Sequence, residues 1–319
     1  MGLQKGYENM VNTVCGKISV QEMGNTLCHE HIMCVNPSVL NAFGENWVNL
    51  DRVKNKAVEM FKQAKEECGI DTIIDGTPID LGRDIEIMRK VSSESGVNIV
   101  ASSGIYPSEE PFLAGKKPEK FAENFINECQ GGIGNTKIKP GILKCATGRA
   151  GFTDINKMLI TTMAIVQKET NLPIFAHNEH SIKTPYKQIQ IFEKNGVNLD
   201  KVIIGHCSDS NDADYLEDIL KSGCFVGFDR IYPTMFEHQA ETIAELIRRG
   251  WEDKILVSHD HSVFIDWFDT TCEKQFEAHL DRNFTNVYKR LFPELEKLGV
   301  EKRQIQKLMS ENIKTLFLN

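Results

Sequence analysis

The 319-residue chain predicts one α/β domain spanning residues 1–319, folded as a (β/α)8 TIM barrel with an N-terminal hairpin extension and a long loop after strand 8. Three observations carry that prediction. Eight short apolar runs recur along the chain. Most lack polar alternation, as expected for strands buried on both faces of a parallel sheet. Between them lie longer stretches with apolar residues at three- and four-residue spacing, the mark of amphipathic helices. No Gly-x-Gly-x-x-Gly follows the first run, which removes the fingerprint of the alternative, an open doubly wound sheet.

In chain order, residues 10–24 precede the first barrel strand and are expected to form a hairpin closing the barrel bottom. The eight strands are expected at 26–32, 71–76, 98–103, 141–146, 173–177, 201–206, 224–229 and 254–259. Helical spacing is clear in 51–68, through Val53, Ala57, Met60, Phe61 and Ala64, and in 153–170, through Ile155, Met158, Leu159, Met163 and Val166. It recurs in 211–222, 238–250 and 301–318. Gly196, Gly223, Gly250 and Gly299 stand where helices should stop. Residues 262–299 form the longest irregular stretch and are expected to lie over the C-terminal mouth, where barrel active sites are built.

Composition narrows the function. The net charge of −8 disfavours a nucleic-acid partner. No segment approaches the ~20 apolar residues of a membrane span. Residues 1–10 have no apolar core, so no signal peptide is expected, and Gly6 stands where a myristoylation pattern needs Ser or Thr. The nine cysteines form no Cys-x-x-Cys pair. Free thiols without a secretion signal point to a cytoplasmic location.

Chemistry-bearing residues gather at predicted strand ends. His29 and His31 flank Glu30, and on a strand residues i and i+2 share a face, so both imidazoles can reach one ion. His177 and His206 each end an apolar run, as does Asp260. Lys144 stands inside the run Ile142-Leu143-Lys144-Cys145-Ala146. Burial lowers a lysine pKa, and a neutral amine can take up carbon dioxide to give a carbamate, a two-oxygen ligand that can bridge two metals. Each residue has a plainer reading: a strand-end lysine reaching solvent, core histidines that only hydrogen-bond, an aspartate capping a turn. Together they suit two divalent ions, with zinc expected and manganese, cobalt or iron compatible. Two such ions would lower the pKa of a shared water and supply a bridging hydroxide near neutral pH. By alternation His259 and His261 share a face opposite to Asp260 and are expected to be structural or to support the metal ligands from behind.

Several of these segments resemble the phosphotriesterase family of the amidohydrolase superfamily. They are Thr26-Leu27-Cys28-His29-Glu30-His31, Gly141-Ile142-Leu143-Lys144-Cys145-Ala146-Thr147, Ile204-Gly205-His206-Cys207 and Ser258-His259-Asp260. Gly223-Cys224-Phe225-Val226-Gly227-Phe228-Asp229-Arg230 and Gly104-Ile105-Tyr106 are similar to the seventh- and third-strand ends of its phosphotriesterase-like lactonases. The resemblance implies that His29, His31 and Asp260 hold a buried ion, His177 and His206 a more exposed one, and carboxylated Lys144 bridges them. It implies Asp260 as catalytic proton shuttle, with Tyr106 and Arg230 lining the substrate pocket. Tyr232, His180, Arg149 and Lys183 are further loop candidates. Arg230 could instead serve a structural ion pair with Asp229 or another loop carboxylate. Cys145 stands where the family often has Val, and its side chain is expected to point away from the metals.

The expected function is a binuclear metal-dependent hydrolase of small molecules. A lactonase is favoured, on sugar-lactone phosphates or acyl lactones, with phosphotriesterase activity on the side. An amide hydrolase or a dedicated organophosphate triesterase on the same site is the alternative. Related metal-dependent nucleases place a glutamate where Lys144 stands, so the lysine and the acidic charge both argue against that class. A protein that merely retains its metals would have little use for Asp260 as a proton shuttle. A homodimer is implied by the resemblance alone.

Overall fold

A computed structural model of the chain describes residues 9–232, 235–267 and 283–318. An antiparallel hairpin comes first, β1 (Met10–Thr13) with β2 (Gly16–Ser19). The barrel strands follow: β3 (Asn25–Cys34), β4 (Ile70–Asp75), β5 (Asn98–Gly104), β6 (Ile142–Ala146), β7 (Ile174–His177), β8 (Val202–Ile204), β9 (Phe225–Phe228) and β10 (Ile255–Val257). Neighbours pair in parallel from β3 through β10. A short β11 (Ser262–Ile265) extends the last strand and pairs with β3, Ser262 opposite His31. Asp260 N–H donates to the His29 carbonyl at 3.1 Å and His31 N–H to the His261 carbonyl at 2.8 Å, so the eighth stave is joined to the first.

Helices α1 (Pro37–Phe43), α2 (Leu50–Cys68), α3 (Ile85–Ser95), α4 (Pro118–Gly131), α5 (Asp154–Thr170), α6 (Thr184–Lys194), α7 (Ala213–Lys221) and α8 (Phe236–Arg248) fill the crossovers. Local chemistry starts and stops them. Asn49, Asp84, Thr153 and Asp212 accept from backbone N–H groups at the N-termini of α2, α3, α5 and α7. Gly69 turns the end of α2 at φ 66°. The helix expected at 301–318 runs as Lys302–Gln306 and Asn312–Leu316, with a π-helical turn, Lys307–Glu311, between them. Among the described residues no helix is long and apolar enough to cross a membrane.

Two apolar layers hold the barrel. The outer one packs helices on strands and includes Cys145, pointing away from the barrel axis as expected. The inner one takes one residue from each of seven strands, Ile74, Val100, Ile142, Phe175, Ile203, Phe225 and Leu256, together with Cys28. Val11, Val20 and Met23 close it from below with Ile313, Leu316 and Phe317 of the last helix. Lys144 and His177 stand two residues beyond Ile142 and Phe175, so alternation lifts them on the same inward face above this layer. In β3 the register shifts between Leu27 and Glu30, which turns Cys28 inward beneath His29 and breaks strict alternation.

The stretch expected to be an irregular loop at 262–299 is in part regular. It contains β11 and the helical segments Val287–Leu291 and Phe292–Lys297, while 268–282 lie outside the described residues. Val263 and Phe264 read as loop in sequence, but the exposed edge of β3 gives their backbone a ladder to join.

Candidate metal centre

The six residues singled out in the sequence meet at the C-terminal ends of the strands. Nε2 of His31 lies 3.2 Å from Asp260 Oδ1, and Nε2 of His29 lies 3.6 Å from the same oxygen. Lys144 Nζ is 2.7 Å from His29 Nε2, and His206 Nε2 is 2.6 Å from His177 Nδ1. Ligand atoms of His29, His31 and Asp260 all lie within 4.8 Å of one another.

Outer partners turn the ligand atoms inward. Asp229, fully buried, receives His29 Nδ1 at 2.7 Å and His206 Nδ1 at 3.2 Å, and accepts the His206 backbone N–H at 2.7 Å. Thr77 Oγ1 pairs with His31 Nδ1 at 2.8 Å. Three imidazoles are thus held by Nδ1 with Nε2 turned toward the centre and the other candidate ligands, the arrangement ligating histidines adopt. His177 is reversed: its Nδ1 faces His206 and its Nε2 faces the Tyr106 hydroxyl at 3.4 Å.

At Lys144, His29 and Asp260 the electrostatics match this donor set. Burial pushes the Lys144 ammonium down to about 8. Its Nζ sits 4.2 Å over the Phe175 ring, with little room for a hydrated charge. Burial, then the neighbouring Lys144, pushes His29 down to about 3, so its imidazole is neutral and can donate a lone pair. For Asp260 burial works the other way, but His29, the His31 hydrogen bond and Arg230 outweigh it and hold the carboxyl well below its ordinary range. Four imidazole nitrogens, a carboxylate and a lysine amine are a donor set that fits two borderline divalent cations.

The backbone makes room for the cluster. A Cβ on Gly76 would lie 2.4 Å from His29 Cδ2, so only glycine lets the end of β4 pass so close. His206 and Asp260 both adopt left-handed φ, 60° and 50°, unusual outside glycine, just where their strands end.

Glu30, between the two histidines, is fully buried and turned toward the eighth stave. Its Oε1 accepts from Ser258 Oγ at 2.7 Å, from His259 N at 2.9 Å and from His259 Nδ1 at 2.7 Å; its Oε2 accepts from His261 N at 2.9 Å. His259 is therefore structural, as expected, and its Nε2 accepts the Val287 N–H at 3.0 Å.

The substrate-side candidates divide. Tyr106 stands at the edge of the cluster, its ring 4.9 Å from His177 and 6.1 Å from Trp267. Arg230 donates from Nε to Asp260 Oδ2 at 2.9 Å and from Nη1 to Asp209 at 2.5 Å, so its carboxylate partners are these and not Asp229. Tyr232 is half-buried and close enough to influence the Arg230 charge. His180 is not brought to the pocket. It is buried, with Nδ1 3.1 Å from the Tyr215 hydroxyl and Nε2 2.9 Å from the Gly205 carbonyl, which leaves neither nitrogen for a substrate. Arg149 is exposed beside Glu179, and Lys183 lies over the Tyr215 ring.

Sequence reasoning missed Asp229, Thr77 and Gly76 as parts of the site. Asp229 was visible at the end of the seventh run, but only as a partner for Arg230. The two histidines it holds come from strands far away in sequence.

The sequence profile of the phosphotriesterase family matches residues 9–317. An aryldialkylphosphatase from Saccharolobus solfataricus is 33% identical over 309 residues, covering 95% of this chain and 98% of the relative. An N-acetyltaurine hydrolase from Dictyostelium discoideum is 26% identical over 371 residues, covering 96% and 97%. The solved structure of the phosphotriesterase from Mycobacterium tuberculosis superposes with a TM-score of 0.90 at 30% identity, over 97% of this chain and 98% of that one.

Proposed function

The chain belongs to the phosphotriesterase family of hydrolases, and we propose that it is a binuclear metal-dependent lactonase acting on lactones that carry an apolar substituent. The observation that carries the substrate class is the rim of the mouth. Of the ten exposed large hydrophobic side chains among the described residues, seven lie in segments leaving the C-terminal ends of barrel strands. They are Phe43 and Trp47 after the first barrel strand, Ile79 after the second, Phe112 after the third, Ile182 after the fifth, Met235 after the seventh and Trp267 after the eighth. Apolar side chains concentrated on one face mark a surface that binds apolar matter.

His29, His31 and Asp260 would hold one ion and His177 and His206 the other, with Lys144 between them as its carbamate. When bound, two such ions acidify a water and polarise a carbonyl. Asp260 would accept the proton of the attacking water and return it to the leaving alkoxide. Arg230 fixes the orientation of that carboxylate through Oδ2. The Tyr106 hydroxyl, beside His177, is positioned to hydrogen-bond the lactone ring. Burial raises its pKa well above the ordinary phenol value, so it remains a donor across the working range.

Amide hydrolysis is the second reading, favoured by similarity to the N-acetyltaurine hydrolase. Initial rates of the zinc-reconstituted protein on a homologous series of alkyl-substituted γ-lactones, a phosphorylated sugar lactone, an N-acyl amide and a dialkyl aryl phosphate separate the readings. The expected result is lactone hydrolysis with kcat/KM rising about fourfold per added methylene until the rim is filled. Faster turnover of the amide, the aryl phosphate or the phosphorylated lactone would overturn the proposal.

A further inference from the structure

A second cavity opens at the opposite end of the barrel. It is an open concavity of about 460 Å³, bounded by the β1–β2 hairpin (Asn12 to Lys17), by Arg89 and Ser93 of α3 and by Lys137, Ile138 and Lys139 ahead of β6. Hydrogen bonds fix the hairpin there: Val14 N–H donates to the Ile99 carbonyl at 2.9 Å, at the start of β5, and Asn12 Nδ2 to the Pro140 carbonyl at 3.0 Å. These are the N-terminal strand ends, and the metal ligands occupy the C-terminal ones.

The charge of this cavity is one-sided. Lys17, Arg89, Lys137 and Lys139 line it, and no Asp or Glu does, in a chain whose net charge is −8. Arg89 shares its guanidinium with Glu86 at 3.1 Å, whereas Lys17, Lys137 and Lys139 have no ion-pair or hydrogen-bond partner for Nζ among the described residues. Lys17, Arg89 and Lys137 are exposed and Lys139 is half-buried, so cationic groups from three separate segments border one concavity with no carboxylate in its lining, an arrangement that attracts a multivalent anion.

We propose that this basal cavity binds a small phosphorylated metabolite carrying two or more negative charges, at a site separate from the hydrolytic centre. Ammonium groups are compact point charges suited to phosphate oxygens. The volume falls within the range of small-molecule sites and leaves space for an organic body. Val14 and Ile138 supply apolar wall for that body. A nucleic-acid strand is a poor occupant, because its further phosphates would meet the acidic remainder of the surface.

The hairpin provides its own reporter. Cys15 lines the cavity and is the exposed cysteine among the eight described. The experiment titrates the metal-loaded protein with fructose 1,6-bisphosphate, and with fructose as the uncharged control, by calorimetry. In parallel, the alkylation rate of the Cys15 peptide by neutral iodoacetamide is followed by mass spectrometry. Wild type should bind the bisphosphate at one site, more weakly as salt rises, and Cys15 should be protected; fructose should do neither. The triple variant K17Q/K137Q/K139Q should bind at least about tenfold more weakly while keeping wild-type melting temperature and hydrolase activity. Undetectable binding at millimolar ligand, equal binding by the triple variant (which would place the anion at the metal centre), or unprotected Cys15 would each overturn the proposal.

Discussion

Asp229 holds two histidines from different strands at once, His29 through Nδ1 at 2.7 Å and His206 through Nδ1 at 3.2 Å. One buried carboxylate therefore sets the ring orientation of a ligand in each half of the proposed centre, and couples the two halves. Burial alone would favour its neutral form, but His206 and His29 hold it well below the ordinary carboxylate range.

Asp229→Asn keeps the shape and removes the charge. Metal affinity should fall about 10- to 100-fold, at both ions together, because such outer partners set ligand orientation and basicity. Competitive chelator titration with metal analysis reads this. Loss confined to one ion would contradict the coupling.

Lys144→Ala and Asp260→Asn should each remove most turnover, while circular dichroism and the melting transition stay near wild type. Both positions sit above the inner apolar layer and not within it. Wild-type rates in either purified variant would refute their assignment.

Arg230→Met removes the donor to Asp260 Oδ2 without touching a ligand atom. A hydrogen bond to a charged group is worth about 1.5–3 kcal/mol, so kcat/KM should drop about tenfold to a hundredfold. Metal content should be unchanged, which separates positioning from ligation.

Gly76→Ala places a methyl group 2.4 Å from the His29 ring. The ring must move, so zinc stoichiometry after reconstitution should fall below two per chain and activity with it. Full loading with wild-type activity would show that the strand end shifts instead.

Glu30→Ala leaves Ser258 Oγ, His259 N, His259 Nδ1 and His261 N, all buried, without their acceptor. Each buried donor left without a partner costs about 1–3 kcal/mol, so the loss of four together should cost at least about 3 kcal/mol. Urea denaturation should show a shift of that size, larger than for Gly76→Ala.

Strand order and most strand positions were legible because buried runs of six or so residues repeat with glycine-marked helix ends. The ligands were legible because chemistry-bearing residues at strand ends have few other uses in a barrel. What stayed hidden depends on which strands become neighbours and at what height. Nothing near Gly76 in sequence says that a histidine ring 47 positions earlier lies against it. His180 shows the same limit in reverse. Its spacing from His177 suggested the pocket, but the Gly205 carbonyl and the Tyr215 hydroxyl, brought up by the next stave and its helix, claim both nitrogens. The bulge in β3 could not be seen either, since it comes from pairing with β4 and not from composition.

The seam of the barrel has a consequence for how the protein is made. Glu30 meets Ser258 and His259, and His31 meets Asp260, across about 230 positions of chain. A ribosome delivers one side of that seam long before the other. The first histidines must wait, exposed, until the eighth stave emerges and docks, a long-range closure of the kind that slows folding. The His29–His31–Asp260 cluster is therefore assembled only when the eighth stave closes on the first, so the site that would hold the buried ion is among the last parts of the fold to form.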